Sequence, residues 1–396
     1  MRRQLMTGTT LLALLVALAI GQNVLQRTAA AQTDGKVQAP RFEVDPMWPK
    51  PLPNHWVMGN VIGVGVDNQD HIYIIHRGAG SLEPKEIYAA ENPPASDCCL
   101  PAPPVLEFDA EGNMVRAWGG PGEGYEWPES NHGITPDSKG NLWIGGNGPD
   151  DGHILVFTRE GKFVKQFGFQ YANAGSNDDW AFNKVAKISL DEQSNEAYVA
   201  DGYGNHRVAV IDMTTGKMKR YWGAYANKPD DENLGRYDPS APPAQQFRNP
   251  VHCAVPSNDG LVYVCDRPND RIQVFTKDGK FQKEVFVEKN TLGDGSVWDI
   301  AFSRDPQQKY FYLADGANEK IHVFDRLSLT ELTSFGDGGR QPGQFYAVHS
   351  IATDSKGNVY TTETYRGQRL QKFAYKGLAP VTKQNQGTVW PTKTTH

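Results

Sequence analysis

Several things are scarce in this chain. It has only four cysteines in 396 residues, too few for a fold built on a disulfide framework. No long stretch keeps an apolar period of 3.6 residues, which argues against a helical bundle. Outside residues 11–20 no apolar run approaches the length of a membrane span. Basic side chains are in the minority, 40 Lys and Arg against 46 Asp and Glu, and no basic patch interleaves with aromatics. Nucleic acid is therefore not an expected partner.

The first residues read as an export signal. Arg2 and Arg3 form a positive start, Leu11 to Ile20 an apolar run, and Ala29-Ala30-Ala31 a small-residue cleavage site. Residues 1–31 are set aside as a signal peptide; an uncleaved anchor is the alternative, and the arginine pair admits twin-arginine export. Without its three arginines the formal charge moves from −6 to −9. The mature protein is expected to be secreted or periplasmic, without stable membrane insertion, and a monomer. Such a compartment permits disulfides. Cys253 and Cys265 flank a hairpin turn at Ser257-Asn258-Asp259-Gly260, and Cys98-Cys99 are adjacent in a Pro-rich loop. Two small buried hydrophobes and a bridge are both compatible with the 253/265 pair.

The 40 glycines and 26 prolines are spread along the chain, as short strands joined by turns require. Aligned with itself, the sequence repeats. An apolar strand runs into an Asp-x-x-Gly/Asn type turn, then a strand carrying an aromatic, then a third strand. Six copies begin at Ile62, His132, Ala186, His252, Trp298 and His349, at intervals of 46 to 70 residues. Third strands such as Ile154-Leu-Val-Phe157 and Ile272-Gln-Val-Phe275 follow. Fourth strands end in Trp118-Gly119, Phe167-Gly168, Trp222-Gly223 and Phe335-Gly336. Four strands per unit and six units predict an all-β fold, a six-bladed β-propeller of four-stranded antiparallel blades over residues 41–376. Residues 377–396 are left as a tail. Arg41-Phe-Glu-Val-Asp45 is expected to complete the last blade. Inserts near residues 80–105 and 224–247 are expected to cover one face.

Equivalent positions carry the chemistry. The six residues that open the copies face the propeller axis near one mouth, and His132, His252 and His349 fall in alternate blades. Ten histidines in the chain predict roughly 0.15 in six slots. Three imidazoles about 120° apart supply three nitrogen ligands and leave a fourth position open, the arrangement of a catalytic zinc. Nitrogen ligation also suits Cu, Fe or Ni. The bland reading is three unrelated channel histidines. At the end of the second strands Arg77 and Arg267 occupy matching slots. They favour an anionic ligand, since guanidinium grips carboxylate, with Arg–Asp stapling between blades as the alternative. Tyr203, just past Asp201, is a candidate proton-transfer phenol.

His132-Gly, Asp201-Gly-Tyr-Gly-Asn-His-Arg207, Val251-His252, Asp266-Arg-Pro-Asn-Asp-Arg-Ile-Gln273, Val348-His349 and Ile75-His76-Arg77-Gly78 resemble the peptidyl-α-hydroxyglycine α-amidating lyase, an NHL-repeat propeller. The resemblance implies that the three histidines bind zinc. It implies that Arg77 and Arg267 contact the substrate, one at its carboxylate region, and that Tyr203 moves a proton. The implied reaction breaks the N–Cα bond of a peptidyl-α-hydroxyglycine to give a peptide amide and glyoxylate, on a small anionic or peptide-like substrate. Ser350 stands where the family has an Asp beside a structural calcium, which puts calcium in doubt. Ala347 replaces a family Met, and the blade-3 inner strand differs around Val185-Ala186-Lys187. Two other classes remain: a metal-dependent propeller hydrolase or lactonase, and a non-enzymatic NHL-repeat binding propeller. The first usually gathers carboxylate and Asn ligands for calcium; the second has no need of an open nitrogen triad.

Overall fold

The computed structural model describes residues 37–172 and 174–382. The expected signal, residues 1–31, and the part of the tail from residue 383 lie outside the described residues. Among those residues there is no α-helix, only five short 3-10 turns, and no helix is long and apolar enough to cross a membrane.

Six four-stranded antiparallel sheets form a six-bladed propeller. Blade 1 is Val61–Val66, Ile72–His76, Val105–Phe108 and Met114–Trp118. Blade 2 is Asn131–Pro136, Asn141–Gly146, His153–Thr158 and Phe163–Gly168. Blade 3 is Val185–Asp191, Glu196–Asp201, Arg207–Asp212 and Met218–Trp222. Blade 4 is Val251–Pro256, Leu261–Asp266, Arg271–Thr276 and Phe281–Phe286. Blade 5 is Asp299–Phe302, Tyr310–Asp315, Lys320–Asp325 and Thr330–Phe335. Blade 6 joins Val348–Thr353, Val359–Glu363 and Arg369–Pro380 to Gln38–Asp45 from the start of the described chain. That last pairing runs from Gln38↔Pro380 to Asp45↔Lys372. It closes the ring by supplying the outermost strand of the last blade from the start of the described chain.

Side chains alternate between the two faces of a strand, so each blade can bury itself only against its neighbours. The core is accordingly divided into six clusters, one per blade–blade interface. Between blades 2 and 3, for example, Trp143, Ile154 and Val156 meet Val185, Ile188, Val199 and Ile211. The turn aspartates act within each unit. Asp137 Oδ1 accepts the backbone N–H of Lys139 and Asn141, and its Oδ2 accepts from Asn141 Nδ2 and Trp143 Nε1. Asp354 binds Lys356, Asn358 and the Tyr360 hydroxyl in the same way. In blades 1, 2 and 6 one carboxylate thus satisfies both the turn and the aromatic of the next strand, whereas in blade 3 the Tyr198 hydroxyl goes to Glu196 and in blade 4 that of Tyr263 to the Arg326 carbonyl.

Two strands lacked a sequence signature. Val105–Phe108 is separated from its blade by an insert, and Phe281–Phe286 is not followed by glycine. Cys253 and Cys265 are partners across the first two strands of blade 4 and are disulfide-bonded; Cys98 and Cys99 are joined as a vicinal pair.

Candidate metal centre

The residues that open the inner strands are aimed by bulges. In blades 1, 3, 4 and 6 the register with the second strand shifts across Ile62, Ala186, His252 and His349; in blade 2 it shifts at Gly133, beside His132. A bulge re-aims one side chain out of the normal alternation. In blade 2 the bulged residue is Gly133, directly after His132; in blades 4 and 6 the bulge sends the histidine itself into the axial channel. His132, His252 and His349 are brought together there. Their ligand atoms all lie within 4.8 Å of one another, and each residue is at most 3% exposed. Their ring centroids are 4.8 to 5.2 Å apart.

Each imidazole is oriented by the blade that follows its own. His132 Nδ1 lies 2.6 Å from the carbonyl oxygen of Ala186, His252 Nδ1 2.5 Å from that of Trp298, and His349 Nδ1 2.6 Å from that of Ile62. A carbonyl can only accept, so each Nδ1 carries the proton and each Nε2 presents a lone pair to the channel. The three axial positions without histidine thus serve as acceptors for the three that have it. Backbone or carboxylate acceptors of this kind fix the tautomer of metal-ligating histidines.

The imidazoles are held neutral. Burial, then His349 and Arg77, keep His132 well below the usual histidine range; burial, then His349 and Arg267, do so for His252. Burial and the Arg267 charge push His349 down to about 3. Tyr203 Oη lies 3.2 Å from His132 Nε2 and 3.1 Å from His252 Nε2. One phenol proton cannot satisfy two lone pairs, and His349 Nε2 presents a third. A buried set of three neutral nitrogen lone pairs is what a transition metal ion accepts. Three buried histidines that could hold a metal are therefore present.

Around this centre lie the arginines. Arg267, 6% exposed, donates from Nη1 to Tyr203 Oη at 3.3 Å, stacks 4.4 Å over the Trp298 ring, and faces Asp294 at 3.6 Å. Arg77 donates to Asn147 Oδ1 at 2.8 Å, and its charge reaches His132 and His349. The Nε atoms of both arginines are buried with no protein partner among the described residues. The acids of this register are paired with other cations, within their own blades. Asp201 is bonded by Arg207, Asp266 by Arg271, Asp315 by His322 and Glu363 by Arg369, each joining second strand to third. Arg267 also lines a cleft of about 850 Å³ walled by the 224–247 insert, with Leu234, Arg236, Tyr237, Arg248 and Asp294.

Sequence reading missed Asn147's partnership with Arg77, the Asp294 beside Arg267, and the charged pair Lys187–Asp299. That last pair lines the same narrow cavity as the histidines. Reading one position past the axial slots gives Gly63, Gly133, Lys187, Cys253, Asp299 and Ser350, and would have exposed it. Gly133 has φ +72, and a Cβ there would sit 2.8 Å from the Ala186 oxygen that holds His132.

Fold and site together define a six-bladed propeller with a three-histidine axial centre. Comparison with known proteins supports the propeller of NHL-repeat type. Mouse NHL repeat-containing protein 3 is 23% identical over 372 residues, 89% of each chain. Rat peptidylglycine alpha-amidating monooxygenase is 25% identical over 240 residues, 57% of this chain and 22% of the rat protein. A probable peptidyl-alpha-hydroxyglycine alpha-amidating lyase of Caenorhabditis elegans is 24% identical over 219 residues, 55% of this chain and 56% of its own length. The chain is thus similar to NHL-repeat proteins and, at low identity, to amidating lyases, and it spans only part of the latter. No family model matches it.

Proposed function

We propose that the protein is an exported zinc-dependent carbon–nitrogen lyase of the peptidylamidoglycolate lyase type. It would convert an α-hydroxyglycine-like acyl compound to the corresponding amide and glyoxylate. The observation that carries this reading is the set of three inward Nε2 lone pairs, each fixed by a backbone carbonyl, with Tyr203 Oη in hydrogen-bond reach of two of them and Arg267 donating to that oxygen. The similarity to amidating lyases supports it, and the Cys253–Cys265 bond supports an oxidising compartment.

His132, His252 and His349 would hold the ion. A zinc ion so bound acts as a Lewis acid toward a hydroxyl oxygen. The remaining roles belong to the chain. Arg267 and Arg77 are charged donors on the rim and would orient the substrate carboxylate; each has an unused Nε. Arg267 is stiffened by its stack on Trp298, so little side-chain entropy remains to be lost on binding. With its phenol deprotonated and Arg267 donating to the oxygen, Tyr203 Oη would take the α-hydroxyl proton and return it to the departing nitrogen. The hydroxyl oxygen becomes the aldehyde oxygen of glyoxylate, the N–Cα bond breaks with its electron pair going to nitrogen, and that nitrogen gains the proton. Atoms and charge balance without an external oxidant.

The test is glyoxylate release from α-hydroxyhippurate by the purified protein. Turnover that disappears on metal removal and returns with zinc is expected. A metal-loaded protein with no turnover would move the reading to another propeller hydrolase; a folded protein without metal would leave a binding propeller.

A further inference from the structure

The layer of side chains just past the axial histidine register carries a second constellation. Lys187, Asp299 and Ser350 come from the inner strands of blades 3, 5 and 6 and line the cavity that the imidazoles share, which holds only about 10 Å³ of free space. Lys187 Nζ donates to both carboxylate oxygens of Asp299, at 2.6 and 2.7 Å. Asp299 Oδ1 also accepts the Ile300 N–H at 2.8 Å. Its Oδ2 accepts the Ser350 hydroxyl at 2.8 Å and the Ile351 N–H at 3.1 Å. The Asp299 side chain is 2% exposed and that of Lys187 17%.

The calcium implied by the resemblance does not fit this layer. Calcium takes six to eight oxygens at 2.3–2.6 Å. The layer offers a single carboxylate, both of whose oxygens are already saturated, and a fixed ammonium where added positive charge would be repelled. The three residues share one further property. Lys187 follows Ala186, the acceptor of His132; Asp299 follows Trp298, the acceptor of His252; Ser350 follows His349 itself. The ion pair therefore ties together the backbone segments that orient His132 and His252, and the Ser350 hydroxyl joins to it the segment that carries His349.

We infer that Lys187 is a built-in axial cation that takes the place of a calcium ion, and that the Lys187–Asp299–Ser350 clamp positions the three histidines without one. This rests on the metal-centre reading for the zinc arm of its test, and not for the calcium arm. The three are positioning residues, acting on the ion only through backbone and imidazole. Removing partners that fix metal ligands costs 10–100-fold in metal affinity. A pair that merely supports the fold has no such effect.

The experiment measures zinc affinity by chelator competition and Tm by calorimetry in wild type, Lys187→Met, Ser350→Ala and Lys277→Met. The last breaks a comparable ion pair, Lys277–Asp191, that lies away from the channel. The clamp predicts a 10–100-fold loss of zinc affinity for Lys187→Met and a smaller loss for Ser350→Ala, with no change for Lys277→Met. It predicts no shift in wild-type Tm with calcium up to about 5 mM, a concentration that saturates even weak extracellular sites. Should Lys187→Met not fold, Ser350→Ala decides. Unchanged zinc affinity in the clamp variants, or a saturable calcium-dependent rise in the wild-type Tm, overturns the inference. A wild type that takes up no zinc refutes the metal centre instead, and the calcium titration still reads the clamp.

Discussion

The imidazole of His132 donates its Nδ1 proton to the carbonyl oxygen of Ala186, a residue of the next blade, across 2.6 Å. His252 and His349 repeat the relationship with Trp298 and Ile62. The histidines point at one another because the intervening blades hold them. A propeller puts six inner strands around one axis, and alternating ligand and acceptor uses all six positions.

This relationship makes Gly133 critical. A methyl group at 133 would meet the Ala186 oxygen at 2.8 Å, at a backbone φ of +72. Gly140 has a similar φ, +83, but nothing within 4 Å. Gly133→Ala and Gly140→Ala share the cost of a left-handed alanine, of order 1–2 kcal/mol. Only Gly133→Ala should also lower zinc affinity, by about tenfold or more. Equal affinities in the two variants would show that the Ala186 carbonyl does not set the ligand.

Arg77 and Arg267 should govern binding of anionic substrate. Replacing either with Met removes a charge-assisted hydrogen bond of about 1.5–3 kcal/mol, which raises KM roughly 10- to 150-fold. Steady-state kinetics on α-hydroxyhippurate and its carboxamide analogue checks this, the effect being confined to the acid. An unchanged KM for both variants would remove the arginines from the site.

A pH effect should come from Asp270, outside the metal centre. Its Oδ1 accepts from the Ser296 N–H and hydroxyl, while its buried Oδ2 has no partner among the described residues. Burial pushes its carboxyl up to about 7, and the charges of Asp315 and Asp266 add to this. A folded pKa above the unfolded one means that stability from the protonated form is fully present below about pH 4. It is lost as pH rises through 7. Asp270→Asn keeps the acceptor and abolishes the charge. It should raise Tm relative to wild type at pH 8 by more than at pH 5, the difference reflecting about 1–3 kcal/mol for an unsatisfied buried group. Parallel Tm–pH curves would contradict it.

The sequence carried the architecture because a propeller repeats itself: six turn-and-aromatic units are visible once aligned. Alignment also put three histidines in alternate inner slots, and the structure brings His132, His252 and His349 within 4.8 Å. Their acceptors were not legible as such, since Ala186, Trp298 and Ile62 contribute backbone oxygens and any residue has one. The Lys187–Asp299 pair joins residues 112 apart on nonadjacent blades, so no local spacing announces it. The stapling acids were legible as a register, but their partners, Arg207, Arg271, His322 and Arg369, sit on the third strand at offsets of five to seven residues. The outer strand Phe281–Phe286 escaped because its ending departs from the aromatic–glycine pattern of the others.

The most direct test of the account is the metal content of the purified full-length protein, measured by mass spectrometry on wild type and on the His132→Ala, His252→Ala double variant. The account predicts one transition metal ion per wild-type chain and none in the double variant, with the propeller's β-sheet circular dichroism retained in both. Wild-type protein that is folded and free of transition metal, or a double variant that keeps its ion, would contradict it.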